Sequence, residues 1–368
     1  MSEIKVNSIK GVAATAAALS INNTDGTCTA NITNNLSNRN LVINGAFQIA
    51  QRASSSTSNA YATVDRWRGD DNGTDEQTTK SQVDVASGTT PYTLGFRKAF
   101  RLTNGNQTSG AGTTDHATMT HYFEAQNMSN SGWNYISATS YITLSFWVKA
   151  SVAQNYYGYV RTHDGSSYLY PFETGSLTAD TWTKVTKTIP GNSNLTINND
   201  NGVGFSIFLS AYRGTDQTGS ITLNQWGAYD STVRAPDYAT TWWTTNDATF
   251  EITGVQLEVG SVATDFEHRS HAQELALCQR YFYALNGGGT MERWFHCIDT
   301  TSTHRRLAIE FPVTMRAAPT VENFTGNGGL SGNYGSQRMY TDAGTLYWDA
   351  DSNAGLRTLT SCSFSSEL

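Results

Sequence analysis

Residues 247–268 read DATFEITGVQLEVGSVATDFEH. Phe250 and Ile252 share one side of an extended chain, with Gly254 in phase with them. Val255, Leu257 and Val259 then share one side again, so the alternation slips by one at the glycine. Period-two alternation broken at a glycine describes a half-buried strand carrying a bulge. The stretch is expected to be the closing strand of a β-sandwich. Its first partner is expected to be the strand at 141–149, where Ile142, Leu144, Phe146 and Val148 form one face and Tyr141, Thr143, Ser145, Trp147 and Lys149 the other.

Further strands are expected at 95–103, 116–126, 155–163, 182–189 and 203–213, the last with Val203, Phe205, Ile207 and Leu209 on one face. Leu41, Ile43 and Phe47 open the unit and NGAF supplies a turn. About eight strands between turn-rich loops, without helical periods, point to two packed antiparallel sheets over 41–269. Each Leu, Ile or Phe buried between them stabilises the domain by about 1.5–3 kcal/mol. HDGSS at 163–167 reads as a hairpin turn. It is flanked by Tyr156, Tyr157, Tyr159, Tyr168, Tyr170 and Phe172, whose alternation assigns most of them to strand faces. RGDDNGTDEQTTK at 68–80 reads as a polar loop, and the Arg68-Gly69-Asp70 triplet within it carries no functional weight.

Composition agrees with an all-β chain. The 368 residues are only 15% charged, with a net charge of −7, and are rich in Thr, aromatics, Gly, Asn and Ser. The negative balance argues against a broad nucleic-acid footprint. No apolar run is long enough for a transmembrane helix. The start, MSEIKVNSIK, lacks the apolar core of a signal peptide. Cys28, Cys278, Cys297 and Cys362 show no C-x-x-C spacing, so buried thiols are expected rather than a zinc knuckle.

Residues 1–40 cannot bury a core alone. They read as an extended stem that neighbours must order, or as a floppy leader, with a short helix in the alanine run at 13–19. Residues 270–289 break the β pattern. Ser270 and Gln273 form a capping box. Leu275, Cys278, Phe282 and Leu285 make one stripe, and NGGG ends it. A helix of about four turns is expected, acting as a hinge to a small β-domain at 290–368. There, 305–313 is a strand with Leu307, Ile309 and Phe311 on one face, and shorter strands follow.

Six ordered blocks carry a family resemblance. They are NLVINGAFQIAQR at 40–52, VDRW at 64–67, SFWVKAS at 145–151, ITGVQLEVGSVATDFEHRS at 252–270, ELALCQRYF at 274–282 and FPVTMRAAPTV at 311–321. Together they resemble tail-fibre and tail-associated virion proteins of tailed bacteriophages, especially marine and cyanobacterial ones, over about 40–321 with poor matching at 70–140. The resemblance implies a jelly roll like that of carbohydrate-binding modules, often in a homotrimer. It also implies attachment to another virion protein through residues 1–40, contact with host surface glycans, and a place on the virion after synthesis in the host cytoplasm. It further implies a structural calcium, for which Asp65, Glu251 or Asp265 could supply oxygens, although no spacing singles them out.

No catalytic signature appears: no G-x-S-x-G, Walker, G-x-G-x-x-G, H-E-x-x-H or EF-hand motif. The chain is expected not to be an enzyme. His268 and His271 flank the start of the helix, where capping explains them as well as metal binding does. Residues 224–243, NQWGAYDSTVRAPDYATTWW, concentrate aromatics in a polar, non-periodic loop. Trp226, Tyr229, Tyr238, Trp242 and Trp243 would stack on sugars, with Asp230, Arg234 and Asp237 binding hydroxyls. The competing reading is that these rings cap the sandwich or pack between subunits. Three functions stay open: a tail-fibre adhesin, a purely structural capsid decoration, head fibre or tail connector, and a polysaccharide depolymerase.

Overall fold

The computed structural model describes residues 38–285 throughout and, outside that span, 8–9, 19–21, 28–30, 298–301, 304–327, 334–349 and 358–368. The alanine-run helix and Cys297 fall outside the described residues. Ser8–Ile9, Leu19–Ile21 and Cys28–Ala30 form a small antiparallel sheet.

Ten strands build the body. They are β1 (Trp67–Asn72), β2 (Thr79–Asp84), β3 (Lys98–Thr103), β4 (His116–Glu124), β5 (Tyr141–Ala150), β6 (Asn155–Thr162), β7 (Tyr168–Ser176), β8 (Thr183–Pro190), β9 (Val203–Arg213) and β10 (Thr249–Val259). One sheet runs β7-β6-β9-β4-β1, with Gly227–Ala228 added beyond β7. The other runs β8-β5-β10-β3-β2, with Ser55–Ser56 added beyond β2. The chain crosses between sheets repeatedly and every strand pair in them is antiparallel. This is a jelly-roll sandwich.

β10 does pair with β5, and the register shifts between Thr253 and Gln256, as the glycine slip requires. Gly254 has φ 62°, and the Val255 amide donates to Gly45 O at 2.9 Å. The inner faces meet in one core, in which Leu144, Phe146, Ile252 and Leu257 from one sheet and Phe205, Ile207, Met119 and Trp67 from the other are each fully buried.

The span expected to be a loop holds most of β1 and the start of β2. β1 pairs with β4, and β2 with β3. Their inward polar residues neutralise each other, with Lys80 Nζ 2.6 Å from the Asp71 carboxylate and both side chains buried. Arg68 and Asp70 are strand neighbours two apart, joined by two hydrogen bonds of 2.5 and 2.9 Å, so the triplet is not presented on a loop.

The linking segment also differs from expectation. The capping box of Ser270 and Gln273 is present, but the helix, α1, spans only His271–Gln279. Phe282–Ala284 is already a strand, β11, of the C-terminal region. It is not built as a hinge. Arg280 makes a two-pronged ion pair to buried Glu124 at 2.7 and 2.8 Å, and the Tyr281 hydroxyl donates to the same carboxylate at 2.5 Å.

The C-terminal region holds β12 (Ile298–Thr301), β13 (His304–Glu310), β14 (Thr320–Asn327), β15 (Tyr334–Met339), β16 (Ala343–Asp349) and β17 (Thr358–Ser365). β11-β17-β14 form one sheet and β12-β13-β16-β15 another. Ile309, Phe311, Leu346, Cys362 and Phe364 pack in its core. Cys278 and Cys362 are buried free thiols. The last residues return to the sandwich. Glu367 pairs with buried Arg66 and with Arg52, and Tyr61 Oη donates to Leu368 O at 3.2 Å.

Candidate functional site

The outer face of the β7-β6-β9-β4-β1 sheet is built by parity. In β6 the inward residues are Tyr156, Gly158, Val160 and Thr162, which leaves Tyr157, Tyr159 and Arg161 outward. The registers then stack these into rows across the strands. One row runs Pro171–Tyr159–Phe208–Thr120–Arg68, and another Leu169–Arg161–Ser206–Tyr122. A third runs Glu173–Tyr157–Ser210–Thr118–Asp70. Serines and threonines alternate with large rings, so the rings stand above a floor of short hydroxyl side chains.

The rings touch in sequence. Tyr159 stacks on Phe208 at 4.5 Å between centroids, Phe208 meets Tyr122 edge-on at 6.0 Å, and Tyr122 meets His163 at 5.9 Å. Tyr159 lies almost wholly beneath its neighbours, whereas Tyr122 and Phe208 remain half-buried. Burial raises the Tyr122 phenol, with Asp70 and Tyr159 adding to the rise and Arg68 and Arg161 opposing it. Burial, then the Arg161 charge, pushes His163 down to about 4. Its Nε2 lies 2.8 Å from Ser206 Oγ, so a neutral imidazole sits at this edge near neutral pH. Arg161 Nε donates to Ser167 Oγ at 2.9 Å, while its guanidinium lies 3.5 Å from the centre of the Tyr229 ring. A face of ring edges, guanidiniums, two carboxylates and hydroxyls can stack on an apolar ring surface and satisfy hydroxyl groups around it.

The loop residues expected to form the site divide into two groups. Trp242 and Trp243 are fully buried, with their indole N–H groups donating to Thr249 O at 3.1 Å and Gly110 O at 2.9 Å. Trp226 is 8% exposed and donates to Pro190 O at 2.7 Å, and Tyr238, also 8% exposed, donates to Tyr157 O at 3.0 Å. These four are interior residues with no free face for a sugar. Each polar handle finds a backbone carbonyl, which lets a large ring close the sandwich. Asp237 accepts from Thr218 Oγ1 at 2.6 Å, and Asp230 accepts from both the amide and hydroxyl of Thr232 in a turn. Tyr229 and Arg234 reach the sheet face, and Tyr238 packs edge-on against the outward Tyr157 at 5.0 Å. Tyr229 lies over Arg161, and Arg234 donates to Gln217 Oε1 at 2.9 Å, the same oxygen that Arg213 uses. The rows themselves went unnoticed in the sequence. The signal was there in the outward parity of Tyr157, Tyr159 and Arg161, but cross-strand register was needed to join them to Tyr122 and Phe208.

The calcium donors do not fit an ion. Asp65 is fully buried and accepts from Gln51, and burial pushes it up to about 6. Glu251 lies between Arg101 and Lys149, and Asp265 sits on another segment. Among the described residues no group of three His, Cys, Asp or Glu is placed to hold a metal. His268 instead makes a 2.9 Å contact to Leu94 O.

No protein-family model matches the sequence, and no curated protein matches it. Solved structures do show likeness. One is the enzymatically active domain of bacteriophage CBA120 tailspike protein 4, at 14% identity and TM-score 0.32 over 60% of this chain and 21% of that one. Another is a sugar-binding protein from Bacteroides thetaiotaomicron, at 11% and 0.33 over 60% and 100%. A third is a family 11 carbohydrate-binding module from Clostridium thermocellum, at 11% and 0.25 over 57% and 98%. The chain thus spans about a fifth of the tailspike structure's length. Likeness at this level carries no argument about ligand or activity. What assigns the chain to the jelly-roll sandwiches is its own strand order.

Proposed function

We propose that this chain is a non-enzymatic adhesin on the surface of a tailed phage, a short tail fibre or a distal fibre piece. In this reading it is a homotrimer held to another virion protein through residues 1–40. The glycan seat is the outer face of the first sheet, with Tyr122 and Phe208 as stacking rings. Arg68, Asp70 and Arg161 serve as hydroxyl partners, and Tyr229 forms the rim. The observation that carries the reading is the set of rows on that face, where aromatic edges and charged groups alternate over a fully paired, rigid sheet. The resemblance of the six blocks to phage tail proteins supports the setting.

The test is a host-polysaccharide array with wild type, Tyr122→Ala and Phe208→Ala. Each substitution is expected to weaken binding at least tenfold while leaving the melting temperature within a few degrees. Wild-type protein that binds no host polysaccharide refutes the adhesin and leaves a purely structural virion component. Release of reducing ends refutes the non-enzymatic assignment. Light scattering at micromolar concentration is expected to give three chain masses, and one chain mass refutes the trimer.

A further inference from the structure

The bulge in β10 leaves a hollow on the outer face of the opposite sheet. Thr253 pairs with Trp147, and the next pair is Gln256 with Ser145, so the backbone between them departs from the ladder at Gly254. A cleft of about 250 Å³ opens there, lined among others by Ser145, Trp147, Lys184, Gly254, Asp265 and Phe266. Phe266 and Phe96 pack edge-on at 4.9 Å and fix one wall.

Thr264 and His268, which also line the cleft, are committed to Glu258 and to Leu94 O, but four other polar groups there are not. Ser145 is 4% exposed, and its hydroxyl has no hydrogen-bond partner among the described residues. The same holds for the Trp147 indole N–H, the Lys184 ammonium and the Asp265 carboxylate. Their neighbours on this face are fully engaged. Glu251 pairs with Arg101 and Lys149, and Glu258 accepts from Thr264 and Gln256. The Ser145 hydroxyl opens onto the cleft, where a ligand hydroxyl can replace water as its partner. Bulges are also frequent where a sheet is shaped around a ligand.

We propose that this cleft is a second saccharide seat, taking one neutral pyranose ring. Trp147 offers an aromatic face to the ring's C–H surface. The indole N–H and Lys184 donate to ring hydroxyls, Asp265 accepts from them, and Ser145 does either. One cation and one anion balance, which favours an uncharged ring. The volume lies below the roughly 300–1,000 Å³ of drug-sized sites, so one residue fits and a chain does not. The proposal rests on the saccharide reading for its ligand class, and on its own residues for its place.

The test is saturation-transfer NMR and tryptophan fluorescence on the full chain with methyl glycosides of glucose, galactose, mannose and N-acetylglucosamine. About 10 mM sugar fills roughly nine-tenths of a site with Kd near 1 mM. At least one glycoside is expected to give transfer and a fluorescence change that survive Tyr122→Ala. Lys184→Ala and Asp265→Ala, both at exposed positions, are expected to weaken them at least fivefold with unchanged melting. Trp147→Phe is expected to abolish the fluorescence change and reduce transfer. Transfer that vanishes in Tyr122→Ala and ignores Lys184→Ala and Asp265→Ala overturns the cleft and leaves the first-sheet face standing. Glycosides that give no transfer while polysaccharide binds the array overturn the cleft alone. Silence in both assays overturns the saccharide reading with it.

Discussion

Glu367→Ala tests whether the tail is part of the sandwich's own stability. Arg66 is fully buried at φ 69°, and its charge is met by Glu367, whose side chain is 7% exposed. The remaining partners are the Tyr122 carbonyl at 2.7 Å and the Tyr281 ring at 3.5 Å from the guanidinium carbon. Neither carries a formal charge. Removing one member of a buried pair leaves the other uncompensated, which costs about 3–5 kcal/mol. For a cooperative unit of this size that is roughly 6–20 °C in Tm, at 2–4 °C per kcal/mol. Arg52, whose side chain is 10% exposed, also loses its 3.3 Å contact but keeps its place over the Phe282 ring, 3.5 Å away. Urea and thermal unfolding followed by tryptophan fluorescence read the change in the sandwich, which holds the buried Trp67, Trp242 and Trp243. A double-mutant cycle with Arg66→Met isolates the pair. The double variant is expected to recover most of the loss, because the fully buried Arg66 charge is then gone and only the Arg52 contact stays unreplaced. A loss below about 1 kcal/mol, the range of exposed pairs, refutes the reasoning.

Gly254→Ala is expected to cost about 2–4 kcal/mol, since its φ is 62° and a Cβ would lie 2.5 Å from the Phe96 ring. Calorimetry reads the cost, and a neutral result refutes the bulge geometry. Trp242→Ala and Trp243→Ala are each expected to lower stability by about 3–5 kcal/mol, as cavities in a packed core do. A variant of either that melts normally but loses glycan binding refutes their interior role. His163 is pushed down to about 4 from an ordinary 6.5, so the unfolded chain takes up its proton first. Its contribution is fully present above pH 6.5 and fades as pH falls toward 4. His163→Asn is expected to remove that part of the acid limb, and identical pH profiles refute it. Asp65, raised to about 6, acts the opposite way: stability falls as pH rises from 4 to 6. Comparing His163→Asn and Asp65→Asn each with wild type separates the two, and an Asp65→Asn profile identical to wild type between pH 4 and 6 refutes the Asp65 part.

Much of the fold could be read because its strands obey parity. Residues 141–150 and the middle of 203–213 alternate cleanly, 248–260 alternates on either side of its slip at Gly254, and each is a strand between paired neighbours. β1 escaped because parity there is polar. Trp67, Gly69 and Asp71 face in, and only the first is a large apolar residue. Asp71 is admitted to the interior by Lys80, a residue nine positions away on β2. A buried ion pair between two strands looks, in one dimension, like a charged loop. The linking helix was read too long for a related reason. Phe282 and Leu285 continue the three-and-four spacing, but β17 pairs with Phe282–Ala284 and captures them as a strand. Tertiary pairing overrode a local period.

The site was harder to read because the same chemistry serves two purposes. Five rings in a polar loop looked like a sugar platform, yet four of them close the sandwich, each spending its polar handle on a backbone carbonyl. The exposed rings sit where the sequence showed ordinary alternation, on strands β4, β6 and β9, brought side by side by registers that no single segment encodes. The distinction is physical. An irregular loop must bury its large rings to hold its shape, whereas a paired sheet is already held by its ladder and can leave rings outward. Aromatics on the outer face of a fully hydrogen-bonded strand are therefore stronger candidates for recognition than aromatics gathered in a loop. The outcome of Tyr122→Ala against Trp242→Ala, one losing binding and the other losing the fold, decides whether that rule holds for this molecule.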